Sequence, residues 1–250
     1  MPRIRGKIMK RKKILTISIV VVVCIGLASV LWIFGFTVVS TEDLARGGKT
    51  SGWAHDVGFD EVVYVDEIWE SKIIPTILEE AHELPTVLKD MVPDEDGFMQ
   101  KEELIPIAEE YGLITIGEAH AYMVKGTGEV VSVDTESSTG TIELSLDGYA
   151  GPIKIYLYVG PRTPFDESAV RDSVGFILFG DFREQTEYGK VGIEINKRCL
   201  ERVGLSENAD SLQGKKISFY GSFIIRTFNL VIIEMKEIYI VPIQIDVAEV

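Results

Sequence analysis

The densest grouping of side chains able to do chemistry is Arg171-Asp172, followed by Asp181, Arg183, Gln185 and Tyr188, set around an apolar run at 174–179. Two carboxylates, a guanidinium group, an amide and a phenol could line a ligand-binding pocket through Arg171, Asp172, Asp181, Gln185 and Tyr188, offering both donors and acceptors. The same groups could instead tie down a strand at 174–179 and the helix that follows it. Read as a catalytic pair, Asp172 and Asp181 would suit an envelope glycoside hydrolase, whose two carboxyl groups stand about 5–5.5 or 6.5–9.5 Å apart.

Other chemistry is sparse. Asp94, Asp96, Gly97 and Glu103 match positions three, five, six and twelve of a calcium-binding loop, but position one is Val92 and Pro93 follows it. An acidic linker between helices accounts for the same residues, so no metal is expected. His55, His82 and His120 lie far apart and read as surface or edge residues, since none has a partner at zinc spacing. Cys199 lies on an apolar helical face and reads as a buried thiol rather than a nucleophile. The chain has no Gly-x-Ser-x-Gly elbow, phosphate-binding glycine loop or His-Glu-x-x-His, and so it reads as a non-enzyme with no cofactor.

The elements that must position these residues are legible from periodicity. Residues 60–117 form a helical region, with Pro75 and Pro85 suited to first turns and a helix at 102–111 stopped by Gly112. From 118 to 250 the period falls to two. A long strand at 121–134 is interrupted at Gly126-Thr127-Gly128, and alternation recurs at 142–146, 153–159 and 217–223. Residues 230–247 supply a last β segment, with an edge or break at Pro242. Between these lies a helix at about 184–203, with Val191, Ile195, Cys199 and Val203 on one face and Gly204 as a left-handed cap. The expected fold is α+β: an N-terminal transmembrane helix, a short helical region, and a mostly antiparallel OB-like β-barrel with one helix between its third and fourth main strands. In such a barrel the loops at 134–139 and 226–229 would take ligands.

The first forty residues differ from the rest. Seven Lys or Arg residues fall within 1–13, and no charged residue occurs from 14 to 41. A helix needs about 20 apolar residues to cross a bilayer, so the segment predicts a basic cytoplasmic tail (1–13), a membrane anchor (14–39) and a Gly-rich tether (40–59). Residues 60–250 would then be one folded unit outside the cytoplasm, on the far side of the cell membrane. Over residues 14–250 the net charge is −21, which disfavours nucleic acid as a partner. Cys199 is the one cysteine beyond the anchor, so no intramolecular disulfide can staple the exported part.

Several stretches occur together in order: 64–75 (Tyr-Val-Asp-Glu-Ile-Trp-Glu-Ser-Lys-Ile-Ile-Pro), 128–135 (Gly-Glu-Val-Val-Ser-Val-Asp-Thr), Gly160-Pro161, Arg171-Asp172 and 179–182 (Phe-Gly-Asp-Phe). Gln185, Tyr188, Asn196 and 214–219 (Gly-Lys-Lys-Ile-Ser-Phe) continue the series. In these the chain resembles a family of predicted periplasmic lipoproteins classed as a domain of unknown function. The resemblance implies an exported protein without an assigned activity, often encoded beside sugar ABC transporters. Two features depart from that family. A full apolar span stands in place of the lipoprotein cysteine, and Asp166-Glu-Ser-Ala-Val170 replaces Arg-Gly-Thr-Ala-Leu before Arg171, removing a positive charge that an anion site would use. The expectation is therefore an accessory or binding protein whose partner is a transporter component or a small carbohydrate. The alternatives are the paired-carboxylate hydrolase and a purely structural scaffold.

Overall fold

The computed structural model describes residues 59–248. The expected tail (1–13), anchor (14–39) and nearly all of the tether (40–59) lie outside them. Among the described residues no helix is long and apolar enough to cross a membrane.

The chain enters through α1 (Glu61–Ile68), whose N-terminus is capped by Asp60 Oδ1 accepting from the amides of Val62 and Val63 at 3.0 and 3.1 Å. A π-helical turn (Trp69–Ile73) leads directly into α2 (Ile74–Glu80). Pro75 has no N–H for the ladder, and the Ile74 amide reaches back five residues to the carbonyl of Trp69. Two short elements follow, β1 (His82–Glu83) and α3 (Leu84–Asp90), with Pro85 in the first turn of α3. After β2 (Phe98–Gln100) comes α4 (Lys101–Tyr111), opened by a reciprocal capping box between Gln100 and Glu103.

The main sheet is built from β3 (Leu113–Ile114), β4 (His120–Asp134), β5 (Thr141–Leu146), β6 (Lys154–Tyr158), β7 (Lys216–Ile225) and β9 (Glu237–Val247), with β1 at one end. A separate two-stranded sheet joins β2 to β8 (Ile232–Glu234). Between β6 and β7 lie α5 (Ala169–Ser173), a 3-10 turn (Phe179–Asp181) and α6 (Gln185–Val203). The mostly antiparallel OB-like barrel of the sequence reading is corrected here: the seven-stranded sheet is mixed. β6 runs parallel to β9, and β1 parallel to β4. The cause is connectivity, because the chain leaves β6, crosses through two helices and β7, and returns beside β6 in the same direction.

Two apolar clusters pack on the two faces of this sheet. Tyr122, Phe219, Phe223, Ile238 and Ile240 belong to one; Trp69, Ile73, Val191, Ile195, Cys199, Val241 and Ile243 belong to the other. β9 serves both by ordinary alternation, Ile238 and Ile240 on one face and Val241 and Ile243 on the other, and an extra residue, Ile243, between the partners of Tyr220 and Gly221 on β7 then brings Ile245 to the first cluster. That bulge beside Pro242 reverses which side chains face which cluster.

Three local expectations need correction. The strand at 174–179 does not form: Gly175 turns the chain at φ +72°, and Leu178 and Phe179 stand about half exposed. The interruption of β4 falls at Val131, not at Gly126-Thr127-Gly128. His120 is not a surface residue but 1% exposed on β4.

Two predictions arise from polar atoms in these interiors. Among the described residues the buried Tyr122 hydroxyl has no hydrogen-bond partner, so Tyr122→Phe is expected to raise stability by about 1 kcal/mol in a urea titration. His120 is also buried, with Nδ1 unpartnered among the described residues, and burial followed by the charge of Lys101 lowers its pKa below 6.5. The unfolded chain therefore takes up this proton first, and the contribution to stability falls as pH drops below about 6.5 toward the folded pKa. His120→Phe should flatten the dependence of the denaturation midpoint on pH in that window.

Candidate functional site

A cleft of about 680 Å³ opens between three stretches that are remote in sequence: 113–119, 168–189 and 224–228. Its lining is mainly apolar. Leu113, Ile114, Ile116, Leu178, Phe179 and Phe228 each leave between 41% and 92% of their surface exposed. Such a concentration of large exposed apolar side chains is uncommon on a protein surface except where something binds.

The polar floor comes from α5 and the first turn of α6. The Arg171 guanidinium donates from Nε to Asp172 Oδ1 at 2.8 Å and from Nη1 to the Tyr188 carbonyl at 3.1 Å. It also lies over the Tyr188 ring, 3.6 Å from the centroid. The Tyr188 hydroxyl completes the group by donating to Asp172 Oδ1 at 2.9 Å. Gly192, one turn further along α6, makes room for the guanidinium, since a Cβ there would stand 3.2 Å from Nη1. Burial, then the negative charge of Asp172, push the Tyr188 phenol up to about 12, so it remains a hydrogen-bond donor at neutral pH. Arg171 Nη2 and Asp172 Oδ2 make no hydrogen bond to a described residue.

The loops that carry the apolar rim are held in uncommon backbone conformations. Glu118 and Asn229, at φ 60° and 57°, are the two non-glycine residues with positive φ among those described, and both adjoin the cleft. The Thr227 hydroxyl donates to the Glu118 carbonyl and Lys101 pairs with the Glu118 carboxylate, which fixes one loop against the other. Residues held this way cost of order 1–3 kcal/mol each and cluster at binding sites.

The structure thus brings Arg171, Asp172, Gln185 and Tyr188 into one cleft. Asp181 does not line it. It is exposed on the 3-10 turn, and its charge acts on Tyr64, whose phenol is raised first by burial and then by Asp181. The loop at 226–229 contributes Arg226, Thr227 and Phe228, whereas 134–139 contributes nothing. The residues at 113–119 and Gly189 had no role in the sequence reading, though the apolar run Leu113-Ile-Thr-Ile116 just after a helix stop was a visible signal.

The acidic loop at 92–103 is accounted for structurally. Asp94 Oδ1 accepts from the amides of Asp96 and Phe98 at 3.0 and 2.9 Å, and Glu103 accepts the Gln100 amide at 2.9 Å. Among the described residues no three His, Cys, Asp or Glu side chains stand close enough to hold a metal ion. Cys199 is fully buried, which pushes its thiol pKa up.

Comparison with solved structures finds a likeness to the crystal structure of an OB-fold protein from Thermotoga maritima. The TM-score is 0.55 and identity 17%, over 76% of this chain and 99% of that one. At that identity the likeness is one of fold. No curated protein matches the chain. The family model described as predicted periplasmic lipoprotein (DUF2291) matches residues 20–246. The chain therefore belongs to this family of predicted periplasmic lipoproteins, which is extracytoplasmic and has no assigned function.

Proposed function

We propose that this is a non-enzymatic accessory protein of the cell envelope, and that its cleft holds an apolar segment of another envelope protein, with a component of a sugar transporter as the leading candidate. The observation that carries the reading is the ring of six exposed apolar side chains around a polar floor that is already paired internally. The donor and acceptor at Arg171 Nη2 and Asp172 Oδ2, unbonded among the described residues, match what one peptide group of a bound segment presents. Asp172 accepts from both Arg171 and Tyr188, and Asp181 lies outside the cleft, so a paired-carboxylate reaction finds no support in this arrangement.

The test is co-purification from envelopes of the source cells, comparing the wild type with Ile116→Asp/Phe228→Asp. A transporter or other envelope component that accompanies the wild type and is lost from the variant agrees with the reading. Equal recovery with both would remove the cleft from the interaction. A small carbohydrate is the second reading, favoured by Gln185 and the Arg171–Asp172 pair beside two aromatic rings, Phe179 and Phe228. A rise in melting temperature with a sugar, absent in Gln185→Ala, would shift the assignment to it.

A further inference from the structure

Large apolar side chains crowd the end of β7 beyond the cleft. Phe165, on the loop into α5, is 87% exposed. Val231 is 65% exposed where the chain passes from β7 to β8, and its neighbours Leu230 and Ile232 are about half exposed. None of the four lines the cleft. We propose that this end of the domain docks on a membrane, with these side chains entering the interface of a bilayer of zwitterionic lipid.

The loops that carry them are fastened into one surface. Arg226 donates to the carbonyl of Asp166, the residue after Phe165. The Leu230 amide donates to the Thr227 carbonyl at 3.1 Å, and the Val231 carbonyl accepts from the Lys101 amide at 2.9 Å. The bond from the Thr227 hydroxyl to the Glu118 carbonyl adds the turn that bears Ile116, which is 92% exposed. Single apolar side chains on a surface are ordinary, but several on adjoining loops make a patch that marks a place of interaction.

Charge, shape and attachment make lipid the occupant. The exposed charged groups of these loops are neutralised locally, Arg226 by the Asp166 carboxylate at 3.8 Å and Glu118 by Lys101. The net charge over residues 14–250 is −21, so a locally neutral patch is a surface that can approach a membrane without the repulsion the rest would meet. Ile116 and Phe165 rest on little of their own chain at such exposure, and a fluid interface takes up projecting apolar groups without pockets shaped for each. The chain also belongs to a family of predicted lipoproteins. It enters the described fold on the cleft side, since Phe59 packs on Phe182 with centroids 5.5 Å apart and Phe182 on Tyr188 of the cleft wall at 5.4 Å.

The experiment places a bimane label at Phe165→Cys, Val231→Cys or Lys215→Cys of the full chain in a Cys24→Ser background, where Cys199 is fully buried and does not react. Each protein is assembled into phosphatidylcholine nanodiscs that contain a nitroxide-bearing lipid and no other membrane protein. Lys215 precedes β7 at the opposite end of the strand, about 30 Å from the patch. Lipid quenching at 165 and 231 is expected to be at least about twice that at 215, with the order reversed for iodide in the water. Val231→Asp should bring lipid quenching at 165 down to the level at 215, because insertion would then desolvate a charge. Labels at 165 and 231 that are quenched by lipid no more than the label at 215 would overturn the proposal and leave the patch to a protein partner. Quenching at 165 untouched by Val231→Asp would overturn it as well.

Discussion

Arg171→Ala is expected to lower the stability of the protein by about 3–5 kcal/mol, the range found when one member of a buried ion pair is removed. Arg171 and Asp172 side chains are 11% and 8% exposed, so the carboxylate left behind could not recover its hydration without movement of the surrounding elements. The same change strips the cation from the face of Tyr188 and the donor from its carbonyl, which unties α5 from α6. Arg171→Lys keeps the charge but not the planar fork or the stacking, and should recover only part of the loss. Arg171→Ala/Asp172→Asn should cost less than the sum of its single changes, because the second removes the charge that the first leaves stranded. Urea denaturation followed by circular dichroism checks all four variants. A loss under about 1 kcal/mol for Arg171→Ala would mean that the pair behaves as an exposed one.

Phe219→Ala should cost a comparable amount, about 3–5 kcal/mol, by emptying a site that is 1% exposed at the centre of the sheet. Its cross-strand partner is Gly126. A Cβ at 126 would stand 3.1 Å from the Phe219 ring and 2.9 Å from Leu146 Cδ1, so the ring covers a backbone position that has no room for a side chain. Gly126→Ala alone should cost about 1–3 kcal/mol through overpacking. In the Phe219→Ala background it should cost markedly less, because the ring it collides with is gone. The double-mutant cycle measures that coupling, and additive losses would show that Gly126 is required for a reason other than Phe219.

Gly126 also illustrates how far the sequence could be read. Glycines within an alternating run marked a special position, but period alone does not distinguish a bulge from a close approach to an aromatic ring on a strand ninety residues away. Helix α6 was legible almost in full, since Val191, Ile195 and Cys199 recur every four residues on the buried face and Gly204 takes φ +64° as its cap. Strand direction was not. Nothing in the alternation at 153–159 states that β6 will lie parallel to β9, which depends on how the intervening chain crosses the sheet.

The site divides along the same line. Arg171, Asp172, Gln185 and Tyr188 were identifiable because their polar groups sit close in sequence on two consecutive helices. Asp181 belonged to the same sequence cluster, yet the 3-10 turn carries it out of the cleft. Residues 174–179 read as a buried strand because an exposed apolar run and a buried one have the same composition. Gly175 at φ +72° and the absence of strand partners put Leu178 and Phe179 on the cleft rim. The opposite wall, 113–119, showed its apolar run but not its place in the site, because it faces residues 168–189 only through contacts remote in sequence.

Site-specific photo-crosslinking from position 228 in living cells, with a benzophenone amino acid in place of Phe228, tests most directly whether the cleft is where a partner binds. The account predicts one adduct with an envelope protein, absent from cells whose copy also carries Ile116→Asp, and absent when the probe is placed at exposed Lys215, which does not line the cleft. An adduct of the same partner from Lys215 but not from 228, or no adduct from 228 under conditions in which the partner co-purifies, would contradict it.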